Sequence, residues 1–234
     1  MRIIENQTFD MERALYGSEG VLVKSCSFDG PADGESAFKE CSDIAAENCF
    51  FNLRYPFWHD HGIKISGSEM TELCRASLWY SDYIEITDTK MHGIKALREC
   101  SDVVIRDCDI ISPEFGWSVR GIRMEDSTAV SEYFMMRSEN LTFRGVTFRG
   151  KYSFQYIKNA VFEDCTFDTK DAGWADTKCV GLLFIFGMVI WIRLLPGEVQ
   201  IPLTCMTTAV LRRLVKQGIR CRGTMSGLQR NQEM

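Results

Sequence analysis

The chain has 234 residues, of which 45% are hydrophobic and 25% charged, as is ordinary for a soluble protein. Its net charge of -5 argues against general binding to nucleic acid or to anionic membranes. The charge is uneven, because residues 193–234 hold seven Lys or Arg and two Asp or Glu, which leaves about -10 on residues 1–192.

The first residues, "MRIIENQTFDMERALYG", contain no apolar signal core, which predicts a cytoplasmic protein. Ten cysteines are present, but without a secretion signal we expect no disulfide framework. No pair of cysteines has the C-x-x-C spacing of a zinc or redox site. We therefore expect the cysteines to be small core residues.

One short pattern, seen in "ECSDVVIRDCDI" at residues 99–110, returns along the chain. Aligning its copies gives eight rungs with a dominant step of 19 residues, and periods near 20 indicate a solenoid. The first apolar column of the rungs is Val21, Ile44, Ile63, Ile84, Val103, Ile122, Leu141 and Ala160. A second apolar column stands two residues further on: Val23, Ala46, Ile65, Ile86, Ile105, Met124, Phe143 and Phe162. Alternation by two predicts a strand with both columns facing inward.

Two columns rich in Gly, Asn and Asp flank this strand and predict sharp bends, since these residues tolerate left-handed backbone conformations. They are Gly20, Asp43, Gly62, Tyr83, Asp102, Gly121, Asn140 and Asn159 before it, and Ser25, Asn48, Gly67, Asp88, Asp107, Asp126, Gly145 and Asp164 after it. A second short strand follows, with a small and then a large inward residue, such as Cys108 and Ile110. A third inward column is Leu15, Phe38, Phe57, Leu78, Leu97, Gly116, Met135 and Phe154.

Three short strands per turn, with like residues stacked on like, predict an all-β right-handed parallel β-helix of about eight rungs. The uneven inward spacing disfavours the left-handed form, which needs three hexapeptides per turn. In one rung we expect Val103, Ile105, Cys108 and Ile110 to be buried, and Arg106 and Asp109 to be exposed.

Several long stretches are specific enough to compare with known families, among them "ENQTFDMERALYG", "NLRYPFWHDHG", "LCRASLWYSDYIEITDTKMHGIKALRECSD" and "KYSFQYIKNAVFEDCTFDTKDA". Through these stretches, residues 1–178 closely resemble an uncharacterised bacterial family, domain of unknown function 3737. The resemblance implies a right-handed β-helix of the pectin-lyase-like kind. The family has no assigned activity, so no catalytic residue is carried over.

The residue after the third inward column is predicted to face outward, and Trp58, Trp79, Trp117 and Trp174 share this position. A row of tryptophans can stack against the apolar faces of sugar rings, so Trp58, Trp79 and Trp117 are candidate ligand-binding residues. The alternative is that loops or a partner protein cover these indoles.

Beside this row runs a polar column: Glu40, His59, Tyr80, Glu99, Ser118 and Arg137. Carboxylate, imidazole and phenol on adjacent rungs could perform acid–base chemistry, and Arg98 could neutralise a uronate. The candidate catalytic residues are therefore His59, Tyr80, Glu99 and Arg98, against the alternative of a solvated ladder. The sequence "WHDH" at Trp58–His61 lacks metal-site spacing, so we expect no metal and no cofactor.

After residue 178 the pattern of rungs stops, and a tail of residues 179–234 begins with an apolar run. We expect this tail to be irregular or helical, and either a frameshifted sequence, a hydrophobic cap for the solenoid or a segment that touches a membrane. The apolar run from Val180 to Ile192 has 13 residues, short of the roughly 20 needed to span a bilayer.

Two functions fit these observations. The favoured interpretation is a non-enzymatic binding or scaffold module, with an aromatic and charged face for an oligosaccharide or a protein. The alternative is a carbohydrate-active enzyme, a polysaccharide lyase or hydrolase, that acts on acidic oligosaccharides. Nucleic acid is not expected as a partner, and membrane association is disfavoured.

Overall fold

The computed structural model describes residues 1–169, 189–195 and 198–200. In these residues the chain is all-β and forms a parallel β-solenoid of about nine turns, with no helix. The predicted fold class is confirmed. The additional turn lies before Val21, where Arg2–Glu5 pairs in parallel with Glu19–Lys24.

Sheet 1 collects the long strand of each turn, and its strands pair in parallel at equivalent positions of the repeat. Its strands are Arg2–Glu5, Glu19–Lys24, Ser42–Glu47, His61–Ser66, Asp82–Thr87, Ser101–Arg106, Arg120–Glu125, Glu139–Arg144 and the first part of Lys158–Thr169.

Sheet 2 forms a second face of the solenoid. It collects the short strand of each turn, which follows the bend at the end of the sheet 1 strand. Its strands are Thr8–Phe9, Ser27–Phe28, Phe50–Phe51, Glu69–Met70, Lys90–Met91, Asp109–Ile111, Thr128–Ser131, Thr147–Gly150 and the last part of Lys158–Thr169.

Sheet 3 is the shortest, and each of its strands has one inward and one outward residue. Its strands are Phe38–Lys39, Phe57–Trp58, Leu78–Trp79 and Leu97–Arg98, and Trp117 joins through a parallel bridge to Arg98. Two further strands, Glu114–Phe115 and Tyr133–Phe134, pair separately.

Gly116, which follows the first of these two strands, has a φ of +73°, and an added Cβ would lie 2.4 Å from the Met135 sulfur. Met135 of the following turn therefore occupies the space that a side chain at position 116 would need.

Every residue of the two predicted bend columns has a positive φ, between +46° and +76°. Gly, Asn and Asp fill most of these positions because L residues with larger side chains rarely adopt the left-handed region. Ser25 and Tyr83, the two exceptions in these columns, adopt it as well, with φ values of +50° and +51°. The left-handed conformation at these positions is therefore set by the repeat, and it is kept even where the residue type does not favour it.

The predicted inward columns form the core, and all of their described side chains are buried. Phenylalanines stack along it, as Phe28 does on Phe51 with ring centroids 4.8 Å apart. Val103, Ile105, Cys108 and Ile110 are all buried, as predicted. Asp109 is exposed, and the Arg106 side chain is 36% exposed.

Two further strands are described in the tail, where the sequence predicted irregular or helical structure. Val189–Leu195 pairs antiparallel with Lys158–Thr169, and Glu198–Gln200 pairs antiparallel with Val189–Leu195. The other residues after Thr169 lie outside the described residues, and so do the predicted boundary at residue 178 and most of the apolar run. In the part of the chain that is described, no helix has the length and hydropathy to cross a membrane.

Candidate functional site

The outward residues of sheet 3 form a single row that we call the aromatic column: Lys39, Trp58, Trp79, Arg98 and Trp117. They occupy matched positions on five successive turns, because each is paired through its backbone with the next. Parallel pairing separates neighbouring turns by ~4.8 Å, which is close enough for side chains to stack. The sequence predicted this alignment.

The side chains of the aromatic column stack on each other along the solenoid axis. The rings of Trp58 and Trp79 are nearly parallel, at 12°, with centroids 5.5 Å apart. Lys39 Nζ lies 4.4 Å from the Trp58 ring centroid, and Arg98 Cζ lies 5.8 Å from that of Trp79 and 5.1 Å from that of Trp117. These contacts have the geometry of cation–π interactions. The column offers the solvent mainly ring edges, because its neighbours already occupy the ring faces.

Unpartnered polar atoms concentrate at this column. Within the described residues, six buried side-chain N or O atoms lack a hydrogen-bond partner, and five of them belong to the column or to Asp60, which is next to it. The five atoms are Nε1 of Trp58, Trp79 and Trp117, Nε of Arg98 and Oδ2 of Asp60. A buried polar atom without a partner costs about 1–3 kcal/mol, so such a cluster calls for an explanation beyond folding.

The polar column lies at the next bend and is exposed along its whole length: Glu40, His59, Tyr80, Glu99, Ser118 and Arg137. All six residues have a φ between +52° and +59°. The His59 and Tyr80 rings meet edge to face at 5.1 Å, and Tyr80 stacks on Trp79 at 5.2 Å. The structure thus brings the four candidate catalytic residues onto adjacent turns, beside the candidate ligand-binding tryptophans.

Few polar contacts link these candidates to one another. Glu99 Oε1 lies 3.7 Å from Arg98 Nε, beyond hydrogen-bond distance. In the described part of the chain no hydrogen bond joins the side chains of His59, Tyr80, Arg98 and Glu99. At the end of the row, the Tyr16 hydroxyl donates a hydrogen bond of 2.5 Å to Glu40, and this bond raises the pKa of Tyr16.

His59, Asp60 and His61 point in different directions. His59 and His61 are exposed while Asp60 between them is buried. His61 Nδ1 lies 2.6 Å from Asp82 Oδ1, and its ring meets Tyr83 at 4.9 Å. The described residues contain no group of three His, Cys, Asp or Glu side chains placed to hold a metal ion.

The sequence drew attention to Asp60 only as part of the "WHDH" stretch, and its burial was not predicted. It is 2% exposed and belongs to a buried column after the polar one: Cys41, Asp60, Ser81, Cys100, Val119, Ser138 and Ile157. Its Oδ1 accepts a 2.7 Å hydrogen bond from the Cys41 backbone N–H, and its own N–H donates to Ser81 Oγ. Burial raises its pKa to about 8, with a smaller contribution from Glu40. Aligning the rungs one residue beyond the polar column would have found it.

The described cysteines are core residues, as predicted. All seven are free and buried. Burial raises the pKa of Cys108 to about 11 and that of Cys100 to about 12, so both are thiols at neutral pH. Such thiols are poor nucleophiles and poor metal ligands.

A family model described as "Protein of unknown function (DUF3737)" matches residues 2–182. None of the curated proteins matches the chain. Among solved structures, the chain is similar to PfbA, a surface adhesin of Streptococcus pneumoniae, with a TM-score of 0.52 and 12% sequence identity over 85% of this chain and 68% of that one. At this identity the likeness concerns the fold alone.

Proposed function

The chain belongs to the DUF3737 family of proteins of unknown function, and from this premise we propose that it is a non-enzymatic module that binds an oligosaccharide along the aromatic column. The observation that carries the proposal is the row of stacked, half-buried indoles beside the exposed polar column. The adhesin with a similar fold supports it, because it shows that a β-helix can serve in attachment.

The geometry of the column fits a chain-like ligand that lies parallel to the solenoid axis. Each turn presents one large side chain, and turns follow each other at ~4.8 Å, which is comparable to the length of one sugar unit in an extended oligosaccharide. Tyr80 is 43% exposed and widens the platform beside Trp79. Aromatic side chains with an apolar body and a polar N–H or O–H are suited to sugars, which present C–H and hydroxyl groups together.

A double variant tests this proposal. We expect Trp79→Ala with Trp117→Ala to abolish binding on a glycan array and in calorimetry while the protein stays folded, because it removes two rungs of the platform. The matched control is Tyr83→Ala, which deletes an exposed aromatic residue (60% exposed) away from the column. If the unmodified protein binds no oligosaccharide, or if the double variant binds as well as the control, the proposal is wrong.

The alternative function, a carbohydrate-active enzyme on acidic oligosaccharides, rests on the proximity of His59, Tyr80, Arg98 and Glu99. Its support is weaker because these side chains are not joined by hydrogen bonds. A lyase would leave an unsaturated product that absorbs ultraviolet light, and a hydrolase would release reducing ends. Turnover by the unmodified protein that is lost in both His59→Ala and Tyr80→Phe would replace the binding proposal with this one.

A further inference from the structure

Arg98 is the cation at the centre of the aromatic column, and its guanidinium lies between two indoles. Cζ is 5.8 Å from the Trp79 ring centroid and 5.1 Å from that of Trp117. The two rings attract the positive charge and hold the side chain in place through cation–π interactions. Contacts of this kind use the faces of the planar guanidinium and leave its N–H groups, which lie in the plane, available for hydrogen bonds.

The N–H groups of Arg98 have no acceptor within the described residues. Arg98 forms no side-chain hydrogen bond: its buried Nε has only an ion pair with Glu99, whose Oε1 lies 3.7 Å away, beyond hydrogen-bond distance. The side chain is 26% exposed, so it has lost much of its water. By contrast, Arg106 on sheet 1 donates from Nε to Glu125 at 3.1 Å and from Nη1 to Glu85 at 3.2 Å. The two arginines therefore differ: Arg106 has an acceptor on each adjacent turn, and Arg98 has none within the described residues.

We propose that Arg98 receives an acidic group of the ligand, so that the oligosaccharide of the proposed function is an acidic one. This inference rests on that function and adds the charge of the ligand to it. A fixed, partly desolvated guanidinium binds a carboxylate or sulfate through two parallel N–H···O bonds, and such charge-assisted pairs are stronger than neutral ones. No bond is made or broken in this step.

The surroundings of Arg98 favour a sugar acid over an acidic peptide. Trp79 and Trp117 lie on the turns directly before and after it, and Tyr80 flanks them. In an acidic oligosaccharide the charge lies on one sugar ring. The adjacent sugar units can then contact the edges of the indoles on either side of Arg98. A polyglutamate chain would satisfy Arg98 but would present flexible side chains to the indoles, so it should bind more weakly.

The test compares one ligand in two charge states. The probes are a tetrasaccharide of uronate units and the same tetrasaccharide with its carboxylates methyl-esterified, with tetraglutamate and a sulfated tetrasaccharide as further arms. We expect the unmodified protein to prefer the acid over its ester by about tenfold or more, the effect of one hydrogen bond to a charged group. Arg98→Gln should reduce this ratio to about one, while Arg98→Lys, which keeps the charge but loses the planar fork, should give an intermediate ratio. The matched control is Arg123→Gln, an arginine on sheet 1 that pairs with Glu125.

The outcomes separate this inference from the proposed function. If the ester binds as tightly as the acid, or if Arg98→Gln weakens both forms equally, the inference is wrong while the oligosaccharide function stands. Tighter binding of tetraglutamate than of both acidic sugars would also overturn it, and would indicate an acidic peptide as the ligand. If neither the acidic sugars nor the ester binds, both proposals fail. Retained binding of the ester by Arg98→Gln shows that this variant is folded.

Discussion

The outer surfaces of sheet 1 and sheet 3 are built on the same backbone repeat but satisfy their charges in different ways. On sheet 1, Arg106 is paired with a carboxylate on the turn before it and another on the turn after it, and Arg123 and Arg106 hold the pKa of Glu125 below its usual range. On sheet 3, Arg98 has an indole in each of these places and makes no side-chain hydrogen bond within the described part of the chain.

The difference separates a surface whose charged groups are paired with one another from the surface that we propose as the binding site. An alternating ladder of acids and bases satisfies its own donors and fixes the register of neighbouring strands. A ladder of indoles and cations stacks well through its ring faces, but it leaves N–H groups without acceptors. The same one-turn spacing thus gives a structural surface on one side of the solenoid and a candidate binding surface on the other.

The largest expected effect concerns the corners beneath these surfaces. At the corner between sheets 1 and 2, Ser68 Oγ accepts from the Cys49 N–H, and at the corner beside sheet 3, Asp60 takes the same role towards Cys41. Asp60 has a folded-state pKa of about 8, above an unfolded value of about 3.9. Its contribution to stability is therefore complete below about pH 4 and is lost as the pH rises through 8.

We therefore expect Asp60→Asn to be more stable than the unmodified protein at neutral and alkaline pH, by on the order of 4 kcal/mol near pH 7 if Asn keeps the hydrogen bond from Cys41. The advantage should shrink as the pH falls towards 4. Denaturant unfolding between pH 4 and 9 measures this, with the exposed Asp102→Asn as control. A constant difference across this range would show that Asp60 does not titrate as described.

The next effect tests whether the two corners are packed equally tightly. Cys108 lies at the corner between sheets 1 and 2, and Cys100 at the corner beside sheet 3. Replacement of either by Leu should cost about 1–3 kcal/mol, because a larger branched side chain overpacks the corner. Replacement by Ser should be mild, since Ser127 and Ser81 already occupy the neighbouring turns. Thermal unfolding of the four variants decides this, and equal melting temperatures for Ser and Leu would contradict it.

A smaller effect compares the two arginines directly. Arg98→Gln should lose about 0.5–2 kcal/mol of cation–π stabilisation, which salt affects little because the group is partly desolvated. Arg106→Gln should lose less, and part of that loss should disappear in 1 M salt, since its ion pairs are only partly buried. Denaturant unfolding at low and high salt measures both. If salt changes both losses equally, the two arginines are not stabilised by different kinds of interaction, and the contrast between the two surfaces is wrong.

The smallest effect concerns the bend before sheet 1, which both surfaces share. Tyr83 holds a left-handed conformation that its column otherwise assigns to Gly, Asn or Asp. We expect Tyr83→Asn to stabilise the fold by about 0.5–1 kcal/mol, because Asn adopts this region more readily. The matched change Tyr80→Asn, at a bend with a φ of +53°, should stabilise less because it also removes the stacking on Trp79. A loss of stability in Tyr83→Asn would mean that the ring contact with His61 outweighs the backbone strain.

The amino-acid sequence by itself determined the solenoid. Each turn of a solenoid contacts its neighbours in the chain, so inward residues and bends repeat at a nearly constant period and can be read by aligning the rungs. For this reason the buried columns, the left-handed bends and the row that holds Trp58, Trp79, Arg98 and Trp117 all follow from the pattern. The added first turn was missed because Arg2 stands where the column has an apolar residue.

Only the tertiary structure decided which contacts the side chains of adjacent turns make with one another. The pattern placed the tryptophans in a row, but the stacking of their faces on each other and on Arg98 depends on rotamers that a period does not specify. The same holds where Met135 fills the space at Gly116 and where Asp60 turns inward between two exposed histidines. A repeat fixes which backbone positions are neighbours, whereas the packing and solvation of the side chains decide which hydrogen-bonding groups stay available for a ligand.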